Sequence, residues 1–165
     1  MDSDQLVLDA DLVEVMRSAA TSALEHGAPF VAPAHVVLGL LADPRIGPAI
    51  GTLIPRDRVR EAAQEAQQKP AEIGELFEGA LPDGEQPPFV RRDTIAFRSR
   101  DGEHSVYLDA AAFHIFVEGA RRASGTYRAK HLVFALTAEA VKEGELLELV
   151  GRDPQGVTKA VDALD

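Results

Sequence analysis

The sequence contains no cysteine and no tryptophan, and aromatic residues make up only 5% of its 165 residues. Without cysteine the chain has no disulfide, no thiolate metal ligand and no cysteine nucleophile, which suits a reducing compartment. No apolar run approaches the ~18 residues that a membrane-spanning helix needs. The first residues are acidic, whereas a secretion signal begins with basic ones. We therefore expect a cytoplasmic protein with no membrane partner.

Positive charge is also scarce in this chain. Lysine and arginine number 17 against 27 aspartate and glutamate residues, which gives a formal net charge of -10. A surface of that sign repels phosphate backbones, so nucleic acid is not an expected partner. Hydrophobic residues make up 45% of the chain, as in ordinary globular proteins, and the length suits a single domain.

Two stretches of the chain resemble each other. The first begins with Leu-Asp-Ala at residues 8–10 and reaches a histidine-led apolar run at 35–41. The second begins with Leu-Asp-Ala at residues 108–110 and reaches such a run at 131–136. In both, apolar residues recur at steps of three and four, which predicts helices, and two shorter helical patterns follow. We therefore predict eight helices in two quartets.

Helix-start signals support this division. Asp9 or Asp11 can cap the first helix, and Asp109 the fifth, because a carboxylate accepts hydrogen bonds from the free amides of a helix start. Pro33 and Pro154 suit the first turns of the second and eighth helices.

Between the quartets, a linker with proline and glycine precedes a hairpin signal. Residues 94–100 and 103–108 flank Asp101-Gly102, a pair typical of two-residue hairpin turns, so Arg100 is expected opposite Glu103. The hairpin arginines favour a solvated face with charge pairs, while docking of an acidic protein segment and a nucleic-acid ribbon are alternatives. We divide the single domain 1–165 into repeat one (8–66), linker and hairpin (67–107) and repeat two (108–164).

This arrangement resembles the Clp repeat, found in the amino-terminal domains of Clp-type AAA+ unfoldases such as ClpA and ClpC. The resemblance rests on Pro-Ala-His-Val-Val-Leu-Gly-Leu-Leu at residues 33–41 and Ala-Lys-His-Leu-Val-Phe-Ala-Leu at 129–136. It implies an all-α fold in which two tandem four-helix repeats form one pseudo-twofold domain, with the hairpin inserted between them. It also implies a module that docks substrates and adaptors.

Six positions depart from the family pattern, and two of them, Pro33 and Ala129, stand where the motif has a threonine before its glutamate. In ClpC-type domains a glutamate before each histidine and a threonine at the start of each repeat form two phosphoarginine pockets. Here the glutamate positions hold Ala34 and Lys130, and the threonine positions hold Asp9 and Asp109. The carboxylates that would neutralise a guanidinium are missing, and the aspartates would repel a phosphate. The sequence therefore does not predict phosphoarginine binding.

No catalytic motif accompanies the repeats. The chain has no Gly-x-x-x-x-Gly-Lys-Ser/Thr loop for nucleotides, and no Gly-x-Ser-x-Gly elbow surrounds a serine. We therefore expect no enzyme activity, no catalytic residue and no cofactor.

His35 and His131 occupy equivalent places, which raises two interpretations. They could ligate a metal ion, but neither has a second ligand at helical spacing, so a structural hydrogen bond to a nearby turn is favoured and no metal site is predicted. Asp9 and Asp109 could likewise bind a ligand, although capping is favoured.

The resemblance implies a non-catalytic module that binds protein or peptide ligands, as an adaptor, competitor or decoy for Clp protease machinery. The alternative is sequestration of the cyclic peptide antibiotics that dock on ClpC amino-terminal domains. The candidate ligand-binding residues are Tyr107, Leu108, Phe113, Asp9, Asp109, His35 and His131.

Overall fold

The helices form two quartets, in agreement with the expected all-α fold. The computed structural model describes residues 7–25, 30–65, 89–91, 94–99, 102–142, 144–151 and 153–164. The first quartet comprises α1 (Ala10–Glu25), α2 (Pro33–Ala42), α3 (Ile46–Ile50) and α4 (Arg56–Glu65). The second comprises α5 (Ala110–Arg122), α6 (Ala129–Lys142), α7 (Gly144–Val150) and α8 (Pro154–Asp162). Within these ranges, no helix combines the length and apolarity needed to cross a membrane.

Local chemistry sets most helix starts. Asp109 accepts a 2.8 Å hydrogen bond from the backbone amide of Ala112, which confirms the predicted cap of α5. Asp153 caps α8 in the same way and accepts a 3.0 Å bond from Gly156. Pro33 occupies the first turn of α2, where no amide hydrogen is required.

In the described parts of the chain, six short strands accompany the helices. They are β1 (Val7–Leu8), β2 (Phe30–Val31), β3 (Phe89–Arg91), β4 (Thr94–Ser99), β5 (Gly102–Leu108) and β6 (Thr126–Tyr127). β1 pairs in parallel with β6, and β2 pairs in parallel with β5, which β4 and β3 extend into a four-stranded sheet. The sheet lies against α1.

The strand pairs connect each repeat to the other. β1 leads into α1, and its partner β6 lies between α5 and α6; β5 leads into α5, and its partner β2 lies between α1 and α2. The backbone amide of Asp9 donates to the Tyr127 carbonyl at 2.9 Å, and that of Asp109 donates to Val31 at the same distance. The pseudo-twofold relation therefore includes a reciprocal exchange of strands.

Helix packing follows the same exchange. Besides the close packing within each quartet, α3 lies against α8 and α4 lies against α7. The third helix of each repeat therefore packs against the fourth helix of the other repeat. Arg58 on α4 contacts Glu148 on α7 at 3.1 Å. The two repeats thus share one hydrophobic core.

The hairpin forms, but its predicted register is wrong by two residues. Arg98 pairs with Glu103 and Ser99 with Gly102, whereas the Asp101-Gly102 turn would place Arg100 opposite Glu103. A shift of two residues keeps every residue on the same face of a strand, so the apolar alternation fits both registers equally well. The turn dipeptide alone favoured the wrong one.

Candidate functional site

A cavity of about 340 Å³ opens where the two repeats meet. Repeat one contributes the first turns of α1 and the turn between α2 and α3, and repeat two contributes the start of α6 and the end of α8. The cavity is lined by Asp9, Ala10, Asp11, Glu14, Asp43, Pro44, Arg45, Ile46, Arg128, Lys130, Val161 and Leu164. We refer to it as the junction cavity.

Two carboxylates and one guanidinium form its polar wall. The Arg128 Nε atom lies 3.6 Å from an oxygen of Asp9 and 3.9 Å from an oxygen of Asp11. Burial raises the pKa of Asp11, the nearby charge of Asp9 raises it further, and the hydrogen bond from Ala129 lowers it in part. Arg128 is a third exposed, so water screens its attraction, and burial has the larger effect on Asp11.

Asp11 caps a helix of the other repeat. Its Oδ1 atom accepts a 3.2 Å hydrogen bond from the backbone amide of Ala129, the first residue of α6. In the other half of the pseudo-twofold domain, Ala111 on α5 takes the position of Asp11, and Pro33 at the start of α2 takes the position of Ala129. Proline has no amide hydrogen to donate, and the alanine side chain has no oxygen to accept one. Neither partner of this hydrogen bond is therefore present in the other half.

The opposite wall connects α3 to the end of α8. Asp43 accepts hydrogen bonds from the backbone amides of Arg45 at 2.8 Å and Ile46 at 2.9 Å, which holds the turn before α3. The Arg45 Nη2 atom donates to the Leu164 carbonyl at 2.5 Å, so a guanidinium stabilises the negative end of α8.

The two predicted histidines hold equivalent helix starts. The Nδ1 atom of His35 accepts a 2.9 Å hydrogen bond from the Ala32 amide, and that of His131 accepts a 3.0 Å bond from the Arg128 amide. Both bonds span three residues, as a capping side chain does. This is the structural role that the sequence favours for them, and His35 is fully buried. Among the described residues, no cluster of three or more metal-ligating side chains occurs.

The other predicted ligand residues lie around β5. Leu108 and Phe113 are 1% and 4% exposed and belong to the core, and Tyr107 pairs with Phe30 across β2 and β5. Asp109 caps α5. Of the seven predicted residues, Asp9 is the one that lines the junction cavity.

Sequence reasoning missed most of the junction cavity. Arg45 lies more than 80 positions before Arg128 and Lys130 along the chain and meets them only through the exchange between repeats. One signal of the contact between Asp11 and Ala129 was present in the aligned repeats. Where the second helix begins with proline, which has no amide hydrogen, the position that corresponds to Asp11 holds alanine, which has no acceptor.

The exchanged strands and the paired quartets define a helical domain built from two repeats. No protein-family model and no curated protein matches the sequence. The structure matches the N-terminal domain of the caseinolytic protease associated chaperone ClpD from Arabidopsis thaliana, with a TM-score of 0.57 and 16% identity over 94% of this chain and 92% of that chain. The chain therefore has the Clp N-terminal domain fold, which confirms the resemblance in its repeats.

Proposed function

We propose that this protein is a non-catalytic docking module that binds a protein or peptide ligand and acts as an adaptor, competitor or decoy for Clp machinery. The observation that carries the proposal is the junction cavity, which both repeats build and which lies within a Clp N-terminal domain fold. Its walls combine apolar and charged groups, as recognition sites do.

The structural roles of the charged side chains in the junction cavity favour a binding function over a catalytic one. Asp11 and Asp43 accept backbone hydrogen bonds, and Arg45 donates one, so each of these side chains holds a helix end in place. A site built in this way offers a fixed shape, which lowers the cost of binding a ligand.

The proposal is tested with a purified Clp unfoldase and its protease. We expect the protein to bind the unfoldase or a client of it in biolayer interferometry, and to change the rate at which the protease degrades a fluorescent client. An adaptor raises that rate, whereas a competitor or decoy lowers it. A protein that binds neither component and leaves degradation unchanged would contradict the proposal.

A matched pair of charge reversals locates the contact. Glu14 and Glu25 are both exposed on α1, but only Glu14 lines the junction cavity. They lie eleven positions apart, which is about 16 Å along the helix. We expect Glu14→Lys to weaken binding and Glu25→Lys to leave it unchanged, and equal effects would show that the cavity is not the contact.

The alternative, sequestration of cyclic peptide antibiotics, is tested in the same instrument. Its candidate surface includes Leu108 and Phe113, which are buried in this conformation. Saturable binding of a cyclic peptide, with no binding to the unfoldase or its client, would favour the alternative.

A further inference from the structure

A pattern of two arginines, one further residue and a hydroxyl residue occurs twice in the sequence. Its first copy is Arg-Arg-Asp-Thr at residues 91–94, and its second is Arg-Arg-Ala-Ser at 121–124. Serine/threonine kinases read such charge patterns, because their carboxylates bind guanidinium groups that precede the hydroxyl. So short a pattern also arises by chance, so the accessibility of each segment decides whether a kinase can use it.

The first copy ends inside the four-stranded sheet. Thr94 begins β4, where it pairs with Arg91 of β3 on one side and with Tyr107 of β5 on the other. A kinase binds its substrate as an extended segment, which requires a backbone that is not already held by other strands. The backbone at Thr94 lies between two strands, so this copy is not available in the folded protein.

The second copy lies at the surface, just after α5. Ser124, Gly125 and Thr126 are all exposed. Gly125 has a φ of 88°, and a Cβ atom built on it would have no neighbour within 4 Å, so the turn projects into open space. Ser124 is therefore presented on a protruding turn.

The two arginines of the second copy are exposed as well. The Arg121 side chain is 70% exposed and contacts Glu118 at 2.6 Å, and an exposed ion pair of this kind exchanges readily for another carboxylate. The end of α5 is held by one amide, that of Ala123, which two carbonyls share at 3.2 Å each, and such terminal turns fray. An extended segment around Ser124 therefore forms at little cost.

The surrounding stretch is basic, although the chain is acidic. Residues 119–138 contain two further cations, Arg128 and Lys130, and no carboxylate, whereas the whole chain has a formal net charge of -10. An acidic substrate site on a kinase is therefore attracted to this stretch and repelled by the net charge of the rest. Charge thus favours Ser124 over an exposed hydroxyl such as that of Thr52, which follows six uncharged residues.

We infer that Ser124 is a phosphorylation site for a serine/threonine kinase that recognises two arginines before the hydroxyl. This inference does not rest on the proposed function. In the transfer, the Ser124 Oγ atom forms a bond to the γ-phosphorus of ATP, while the bond from that phosphorus to the β–γ bridging oxygen breaks. ADP leaves with the bonding electron pair, and the hydroxyl proton passes to the carboxylate that serves as the base of the kinase.

The phosphoryl group adds a charge of about -1.5 to -2 just beyond the end of α5. A negative group at a helix C-terminus opposes the helix dipole, but Arg121 and Arg122 can pair with it. In that pairing Arg121 exchanges Glu118 for the phosphate. The residues that follow, Thr126–Tyr127, form β6 and pair with β1, so the modification lies next to a contact between the two repeats.

The test uses the purified folded protein, Mg-ATP and the catalytic subunit of cyclic-AMP-dependent protein kinase, which is an arginine-directed enzyme. Mass spectrometry of proteolytic fragments locates the phosphoryl groups. We expect one group per chain, on Ser124, and none on Thr94. Synthetic peptides of residues 89–97 and 119–127 are the matched control, and both are expected to be phosphorylated because no fold protects them.

Three variants assign recognition to the arginines. Ser124→Ala should abolish phosphorylation. Arg122→Gln is expected to lower kcat/KM of the kinase by about tenfold to a hundredfold, the range of a lost charge-assisted hydrogen bond. Arg60→Gln replaces an exposed arginine on α4 and should leave kcat/KM unchanged. Thermal melting checks that each variant is folded, as expected for exposed positions.

The inference is wrong if Ser124 is not phosphorylated in the folded protein, or if Thr94, Thr126 or Thr52 is modified as fast as Ser124. It is also wrong if Arg122→Gln and Arg60→Gln have the same effect. None of these results contradicts the docking function, which depends on the unfoldase and client measurements. A failure of those measurements likewise leaves the phosphorylation result unaffected, so the two ideas are tested separately.

Discussion

The hydrogen bond from Ala129 to Asp11 allows a sharp test of how the repeats hold each other. Asp11→Ala removes the acceptor for an amide at the start of α6, and Ala129 is fully buried. Loss of a helix cap costs about 1 kcal/mol, and a buried amide without a partner costs about 1–3 kcal/mol. We expect the free energy of unfolding to fall by about 1–2 kcal/mol, which corresponds to about 2–8 °C in a domain of this size.

Asp11→Asn is the matched variant, because asparagine keeps the oxygen that accepts the bond and removes the charge. The pKa of Asp11 is raised, chiefly by burial, so the folded state favours the protonated carboxyl group. Stability from this group is therefore fully present below the unfolded pKa of about 3.9 and is lost as the pH rises through the folded pKa. At pH 7 the asparagine variant should be at least as stable as the parent protein, and this advantage should disappear towards acid.

Urea unfolding followed by circular dichroism, at several pH values, measures both effects. The reasoning fails if Asp11→Ala is as stable as the parent, or if Asp11→Asn loses as much stability as Asp11→Ala. A further control is Ala111→Asp, which puts a carboxylate opposite Pro33, where no amide hydrogen is present. It should bring no capping gain and stay within about 0.5 kcal/mol of the parent.

Two other substitutions test the second repeat. Gly119→Ala should destabilise the protein by about 1–3 kcal/mol through overpacking, because an added Cβ would contact the Tyr127 hydroxyl and lie 2.8 Å from its Cζ atom; thermal melting measures this, and an unchanged melting point would contradict it. Asp109→Ala should cost about 1 kcal/mol by removing the cap of α5, while Asp109→Asn should lose much less, and equal losses in urea unfolding would show that capping is not its role.

The helices were predictable because their signals are local. In α1 the buried residues recur at the three- and four-residue steps expected of an amphipathic helix, and in α5 and α8 an aspartate precedes the first turn. These features need only neighbouring residues to be read from the sequence.

The strands and the junction cavity were not predictable in this way. β1, β2 and β6 are two residues long, too short to show any alternation, and each pairs with a segment far along the chain. Asp11 was one of two residues, with Asp9, expected to cap the first helix, yet its Oδ1 atom accepts a hydrogen bond from the amide of Ala129, 118 positions away. A capping residue can be recognised in a sequence, but the helix that it caps depends on the tertiary fold.

Because the repeats exchange strands, a truncation at the amino terminus affects the structure of the second repeat. Val7 and Leu8 pair with Thr126 and Tyr127, so a truncation just past Leu8 removes the partner of a strand between the first two helices of the far quartet. The Tyr127 hydroxyl in turn donates to the Phe116 carbonyl at 2.7 Å, which connects that strand to α5. We therefore expect a truncation at the amino terminus to destabilise the carboxy-terminal half, and we expect neither repeat to fold by itself.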